Sequence, residues 1–210
     1  MTLAVVTPGD TFTGGFLDSM LETMAHCIRN ITLHHVREYS ADIYNCRESA
    51  AIKVVDHCQD YDAMLWVDSD MVWRWDDVVK LVEADVPIVS GVCMISQYKC
   101  NAAIFHMDGD DEVLGYFNGN RLDEIQRQPN GLILADLVGF GFILFKKGVF
   151  ESLERPWFRQ GKIVTPHKKR ELMASEDMMF TNRCREAGYP IYVHPEVKVG
   201  HQKRQTLRAG

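Results

Sequence analysis

The sequence contains no CxxC pair. Its six cysteines stand apart at positions 27, 46, 58, 93, 100 and 184, which excludes a zinc ribbon and a dithiol redox motif. Scattered thiols in a chain this long read as small buried hydrophobes of a reducing compartment. No apolar run approaches the ~20 residues needed to cross a bilayer, so no membrane span is expected. The first residues, "MTLAVVTPGD", lack the basic n-region of a signal peptide, and a cytoplasmic location is expected. Without an export signal the Asn30-Ile31-Thr32 sequon carries no meaning. Positive charge is also scarce. Lys and Arg total 23 against 29 Asp and Glu, for a formal charge of −6. The clustered basic footprint of a nucleic-acid binder is missing, so no nucleic-acid partner is expected. The single cationic run, His167-Lys168-Lys169-Arg170, reads as a solvated loop. There is no internal repeat, low-complexity tract or clear linker, and 210 residues suit one domain.

What is present is an alternation of short apolar runs and amphipathic stretches. "LAVVTPGD" reads as a first strand broken by Pro8-Gly9. Phe16–Ile28 carries apolar residues near a 3.6 period and predicts a helix. "ITLHHVREYS" predicts a second strand, and residues 46–60 a second helix with Asn45 as its cap. "AMLWVD" predicts the next strand, "DDVVKLVEAD" a helix with acids in its first turn, and "VPIVSGVCM" another strand. The alternation implies βαβ units and a mostly parallel sheet, with ligands bound beyond the carboxyl ends of the strands. Residues 108–131 are polar and turn-rich, and read as irregular structure or a hairpin. Residues 132–153 return to apolar strand, with Gly139 and Gly141 inside it marking a bulge or a close backbone approach. "SEDMMFTNRCREAG" predicts a helix capped by Ser175 and stopped by Gly188, and "YPIYVHPEVKVGH" a final strand pair.

The stretch "DAMLWVDSDMVW" poses the chemical question. An apolar strand ends in Asp68-Ser69-Asp70, and buried charge is costly unless it is paired or coordinates a metal. The two acids either sit at an exposed strand end or hold a hard cation such as Mg²⁺ or Mn²⁺. Glu176 and Asp177 are either ordinary first-turn acids or chemical groups. His201 is either a surface residue or a metal ligand through a neutral ring nitrogen. Trp157 and Phe158 either stack on a sugar ring or pack at a loop–core boundary. His106 is a structural or exposed residue, or a rival metal or acceptor contact.

"TPGD" after the first strand, "NCRESAA" on a helix, "MLWVDSDMVW", "VGFGFILF" and "SEDMMF" occur in an order that resembles the GT-A fold, DxD-type nucleotide-sugar glycosyltransferases. The resemblance runs from about residue 3 to 201. It implies an α/β, Rossmann-like catalytic domain over 1–210, with a nucleotide-sugar-binding half (1–100) and an acceptor-binding, catalytic half (101–210). It also implies transfer of a sugar, with inversion, from a nucleotide diphosphate sugar (UDP favoured) to a glycan or other hydroxyl acceptor. Mn²⁺ or Mg²⁺ would be held by Asp70, Asp68 and His201, with Asp70 the direct ligand and Asp68 also reaching ribose or sugar. Thr7, Pro8, Gly9 and Asp10 would hold the nucleoside, and Asn45 and Arg47 would reach base or phosphates. Ser69 belongs to the donor site with its flanking acids. Gly139, Phe140 and Gly141 would shape the sugar pocket. Asp177 would be the general base, with Glu176 the alternative. The segment "SQYKCNAAIFH" lacks the arginine and proline signals of some relatives and leaves the acceptor side open. Two rival readings use the same residues. One is a haloacid-dehalogenase-like phosphatase with Asp68 as nucleophile. The other is a nucleotide-sugar-binding module without catalysis.

Overall fold

The computed structural model describes residues 1–27, 31–58 and 60–203. Strands β1 (Thr2–Pro8), β2 (Thr32–Glu38), β3 (Ala63–Val67), β4 (Met71–Val72) and β5 (Ile88–Cys93) alternate with helices α1 (Gly14–Cys27), α2 (Ile43–Ile52) and α3 (Trp75–Glu83). The second half adds β6 (Lys99–Asp108), β7 (Asp111–Asn118), β8 (Ile133–Ala135), β9 (Leu137–Val138), β10 (Phe142–Lys146), β11 (Gly161–Val164) and β12 (Glu171–Ala174). Helix α4 (Glu176–Glu186) and β13 (Ile191–His201) complete it.

The main sheet has eight strands in the order β2-β1-β3-β10-β5-β13-β4, with β8 alongside β13. β2, β1, β3, β5 and β13 run in one direction, and β10 is inserted antiparallel between β3 and β5. The mostly parallel α/β expectation is therefore met. Strands β1, β3 and β5 are buried along nearly their whole length, as continuous apolar runs covered on both faces should be. One face packs Leu3, Val5, Leu65 and Val67 against Phe16 of α1 and Val78 and Leu81 of α3. The other packs Ala4, Val6, Met64 and Trp66 against Ala50 of α2 and Phe180 of α4. Two small sheets, β7-β6-β9 and β11-β12, stand beside it.

Several expectations change in detail. Asp42, not Asn45, caps α2, its side chain accepting from the Tyr44 N–H at 3.3 Å. The earlier start follows from an Asx residue placed one turn ahead of the apolar face. After Ile52 the helix widens into a π-turn, Lys53–His57. The predicted terminal strand pair is one strand, β13, whose register with β5 shifts between Val193 and Lys198. That irregularity takes in Pro195, which lacks the N–H to continue a ladder. Gly139 and Gly141 lie between β9 and β10 rather than inside a strand. Residues 108–118 complete the β6–β7 hairpin, and the following segment is largely irregular. Ser175 and Gly188 bound α4 as expected, Gly188 with φ +89°. Ile28, Asn30 and Gln59 lie outside the described residues. No helix among the described residues is long and apolar enough to cross a membrane.

Trp157 and Phe158 are 1% and 3% exposed. They join Trp66, Phe140, Phe150 and Phe180 in an aromatic cluster with centroid spacings from 4.5 to 6.1 Å. The sugar-stacking alternative for these two rings is thereby removed, because no ligand face is left to them.

Candidate functional site

The carboxyl ends of β1, β3, β5 and β13 converge on one side of the sheet, where such folds place ligands. Asp68 follows the last residue of β3, and its backbone N–H donates to the Gly141 carbonyl at 3.1 Å. Arg47, on the inward face of α2 and 4% exposed, reaches across to it. Its Nη2 lies 3.0 Å from Asp68 Oδ1, its Nη1 lies 2.7 Å from Glu176 Oε1 and 3.8 Å from Asp177 Oδ2. The guanidinium also sits 5.2 Å from the Phe140 ring centroid. Arg47 thus joins the end of β3 to the start of α4, which lies 129 residues beyond Arg47 in the chain.

The electrostatics are strained toward negative. Burial works against the charge on Arg47, but Asp68, Asp177 and Glu176 outweigh it and raise its pKa. Burial pushes the Asp68 and Glu176 carboxyls up, and Arg47 pulls both back down. One guanidinium faces three carboxylates, and Asp70 adds a fourth acid nearby, so the site has a deficit of positive charge.

Asp70 and His201 form the second half of the site. His201 Nδ1 is 3.0 Å from the Met94 carbonyl oxygen, and Nε2 is 3.1 Å from Asp70 Oδ2. A carbonyl only accepts, so Nδ1 carries a hydrogen. A neutral ring then turns the Nε2 lone pair toward the Asp70 carboxylate, an arrangement that calls for a proton or a cation between them. A backbone carbonyl fixing the tautomer from behind is what a histidine metal ligand needs. The donor set, one carboxylate and one imidazole, fits a Mn²⁺-type ion whose other positions are filled by phosphate and water. Asp68 is turned to Arg47, and among the described residues no three His, Cys, Asp or Glu side chains form a ready cage.

A cavity of about 350 Å³ opens beside Asp70 and is lined by Thr11, Thr13, Ser69, His201, Gln202 and Lys203 as well. Gly9 borders the same turn. A Cβ there would meet Ser69 Oγ at 3.2 Å, and its φ of +127° suits glycine. Asp10 is exposed at the rim. Thr7 and Pro8, by contrast, are buried, and the Thr7 hydroxyl lies 3.2 Å from His35 Nε2. Asn45 is exposed on α2 and bonds to Asp42 at 3.3 Å. It is two residues from Arg47, roughly 200° around the helix, so it is not brought into the cluster. Thr11, Thr13, Gln202 and Lys203 were not singled out from sequence. The "TFT" hydroxyls next to Pro8-Gly9 were the available signal.

Asp177 sits in the first turn of α4, less buried than Glu176. Its Oδ1 accepts from the Ser175 hydroxyl and from the Met178 N–H at 2.7 Å. Its Oδ2 faces Gly139 and Phe140. A Cβ on Gly139 would lie 3.2 Å from that oxygen, and the Phe140 N–H is 3.4 Å away. Gly141 instead allows close packing on the core, where a Cβ would meet Cys93 Sγ at 3.1 Å. His106 is exposed on β6, its ring over Gly115, and is not part of this cluster.

Asn101 is a support that sequence reading passed over. It is 4% exposed. Its Oδ1 accepts from the Cys93 N–H at 3.0 Å, and its Nδ2 donates to Ser90 Oγ at 2.9 Å and the Gly139 carbonyl at 3.4 Å. It ties β5 to the glycine turn that faces Asp177. Asn101→Ala should cost about 1–3 kcal/mol, because buried partners lose their bonds. Urea denaturation reads this directly, and an unchanged midpoint contradicts the role.

No protein-family profile matches the sequence, and no curated protein matches it. Solved structures do match in fold. A197 from STIV superposes with a TM-score of 0.58 at 14% identity, covering 100% of this chain and 98% of that one. GalNAc-T7, solved with UDP, GalNAc and Mn²⁺, gives 0.57 at 10% identity, covering 97% of this chain and 43% of that one. The catalytic domain of Drosophila β1,4-galactosyltransferase 7, in complex with xylobiose, gives 0.53 at 13% identity, covering 100% and 76%. The chain therefore has a GT-A-like α/β fold, shared with glycosyltransferases.

Proposed function

We propose that this protein is a metal-dependent glycosyltransferase that moves a sugar from a nucleotide diphosphate sugar, UDP-linked in preference, to a hydroxyl acceptor with inversion. The observation that carries the reading is the joining of Asp68, Glu176 and Asp177 through buried Arg47, beside the Asp70–His201 pair and its cavity. Residues 1–100 supply most of the donor side, which His201 completes from the second half, and residues 101–210 supply the base and acceptor side.

Asp70 and His201 would hold Mn²⁺ or Mg²⁺, with Asp68 at the donor's ribose or sugar. The bound ion supplies neutralisation of the charge that grows on the departing diphosphate. Gly9, Asp10, Thr11 and Thr13 border the space for the nucleotide. Gly139 leaves the approach to Asp177 Oδ2 clear, and that oxygen takes the acceptor proton as the hydroxyl attacks. Glu176 is held at 2.7 Å by Arg47 and buried, so the base role goes to Asp177. Asp68 bound to a guanidinium is poorly placed as a phosphate-accepting nucleophile, which disfavours the phosphatase reading. Incubation with UDP-sugars and Mn²⁺ should release UDP, and the anomeric configuration of the product, read by NMR, should be inverted. Retention would overturn the direct role of Asp177. Release of inorganic phosphate from p-nitrophenyl phosphate, lost in Asp68→Asn, would overturn the reading itself.

A further inference from the structure

β7 and β12 are both edge strands. Among the described residues β7 pairs only with β6, and β12 only with β11, so each leaves a row of backbone N–H and C=O groups unpaired. Their starting ends are fastened together. Glu112, 3% exposed, accepts from the backbone N–H of His167 at 3.0 Å and of Lys168 at 2.6 Å. Arg170 pairs with Asp111 at 2.6 Å. From that junction both strands border one crevice of about 80 Å³, walled by Leu114 and Tyr116 on one side and Leu172 and Ala174 on the other, with Ile163 and Met178 beneath.

The two ends of this crevice differ in chemistry. At the inner end β12 runs straight into Ser175, whose hydroxyl donates to Asp177. Burial first and the Asp177 charge second push the Tyr116 hydroxyl up, which places that ring in the field of the candidate base. At the outer end the turn displays His167, Lys168, Lys169 and Arg170, all exposed. The turn is built rather than loose. The Thr165 N–H donates to the Arg170 carbonyl at 2.8 Å, the Arg170 N–H donates to the Thr165 hydroxyl at 3.0 Å, and Lys169 holds a left-handed φ of +55°. The Lys168 and Lys169 ammoniums have no ion-pair partner among the described residues. Arg170 is already paired with Asp111, and the adjoining hairpin turn carries Asp108 and Asp110, so Lys168 and Lys169 are the two cations of this turn left to meet an anion.

We propose that the acceptor is an extended polypeptide segment laid along these edges, its hydroxyl side chain at Asp177 and its acidic side chains at the Lys168–Lys169 tip. This rests on the glycosyl-transfer reading above. Unpaired strand edges recognise another backbone, and the apolar crevice takes one aliphatic or aromatic side chain. A glycan would use neither. From Glu171 to Ser175 is four extended steps, about 13 Å at ~3.3 Å per residue, and the first two residues of α4 add about 3 Å at ~1.5 Å per residue, so acids met by the lysine side chains beyond Glu171 belong about five to seven positions from the hydroxyl. In the reaction the hydroxyl oxygen bonds to the anomeric carbon of the nucleotide sugar. The bond from that carbon to the diphosphate breaks, the proton passes to Asp177, and the nucleoside diphosphate leaves.

Labelled serine peptides carrying three glutamates at that spacing, on either side, test this by fluorescence anisotropy without metal or nucleotide. The wild type should bind the better acidic peptide at least ~10-fold more tightly than its lysine counterpart, with the preference weakening as salt rises. The double variant Lys168→Glu/Lys169→Glu should abolish that preference and leave UDP–Mn²⁺ binding unchanged. Equal binding of acidic and basic peptides overturns the proposal. So does charge-reversal-sensitive binding of a sulfated oligosaccharide or of phosphatidylglycerol vesicles with no peptide binding. Peptide binding intact in a protein that fails to bind UDP with Mn²⁺ supports the groove and refutes the donor-site reading alone.

Discussion

Arg47→Met is expected to destabilise the protein by about 3–5 kcal/mol, the usual cost of removing one partner from a buried charge network. Methionine fills much of the same volume, so the loss is electrostatic rather than a cavity. Glu176 is left 5% exposed with no cation, and burial already holds its carboxyl above the ordinary 4.5. A carboxyl with a raised folded pKa binds its proton more tightly when folded. The penalty should therefore be smallest below pH ~4.5 and full well above it. Chemical denaturation of both proteins at pH 4.5 and pH 8 measures the difference. A penalty independent of pH, or no penalty, contradicts the role given to Arg47. Arg47→Lys should rescue only in part, because a single ammonium cannot serve Asp68 and Glu176 together as the fork does.

Asp177→Asn is expected to reduce turnover by roughly 10²–10⁴-fold, the range that general base catalysis supplies. An amide can still accept from the Ser175 hydroxyl and the Met178 N–H, so the α4 turn should keep its geometry. Donor affinity should change little, because Asp177 bonds to Ser175, Met178 and Phe140 while His201 bonds to Asp70 and Met94. The discriminating measurement is kcat against the KM for the donor, each determined with saturating metal. Loss of donor binding with unchanged turnover would assign Asp177 to the donor site instead of the acceptor proton.

The sequence carried the strands well because each buried strand is a short apolar run ended by a polar residue. β1, β3 and β5 are legible on that ground alone, and so is α4, with its serine cap and glycine stop. β10 was visible as apolar sequence, but its antiparallel insertion between β3 and β5 was not, since periodicity says nothing about order in a sheet. The acids were legible as types at strand and helix ends. What joins them was not. The resemblance names Arg47 as a contact to base or phosphates, but its reach to Asp68 and Glu176 depends on how α2 packs across the sheet. Asn101 was hidden for a similar reason, because a buried asparagine looks like any turn residue until its hydrogen-bond partners are placed. Thr7 misled in the opposite sense. It stands in the loop-forming "TPGD", yet its hydroxyl belongs to the interior beside His35.

The central claim is that Asp70 and His201 hold a divalent cation that receives a nucleoside diphosphate. Isothermal titration of the wild type and of Asp70→Ala with UDP and GDP, each with and without Mn²⁺, tests it most directly. The account predicts binding by the wild type only when Mn²⁺ is present, and loss of that binding in the variant. No binding of either nucleotide with Mn²⁺ in excess, or the same affinity in both proteins, would contradict it.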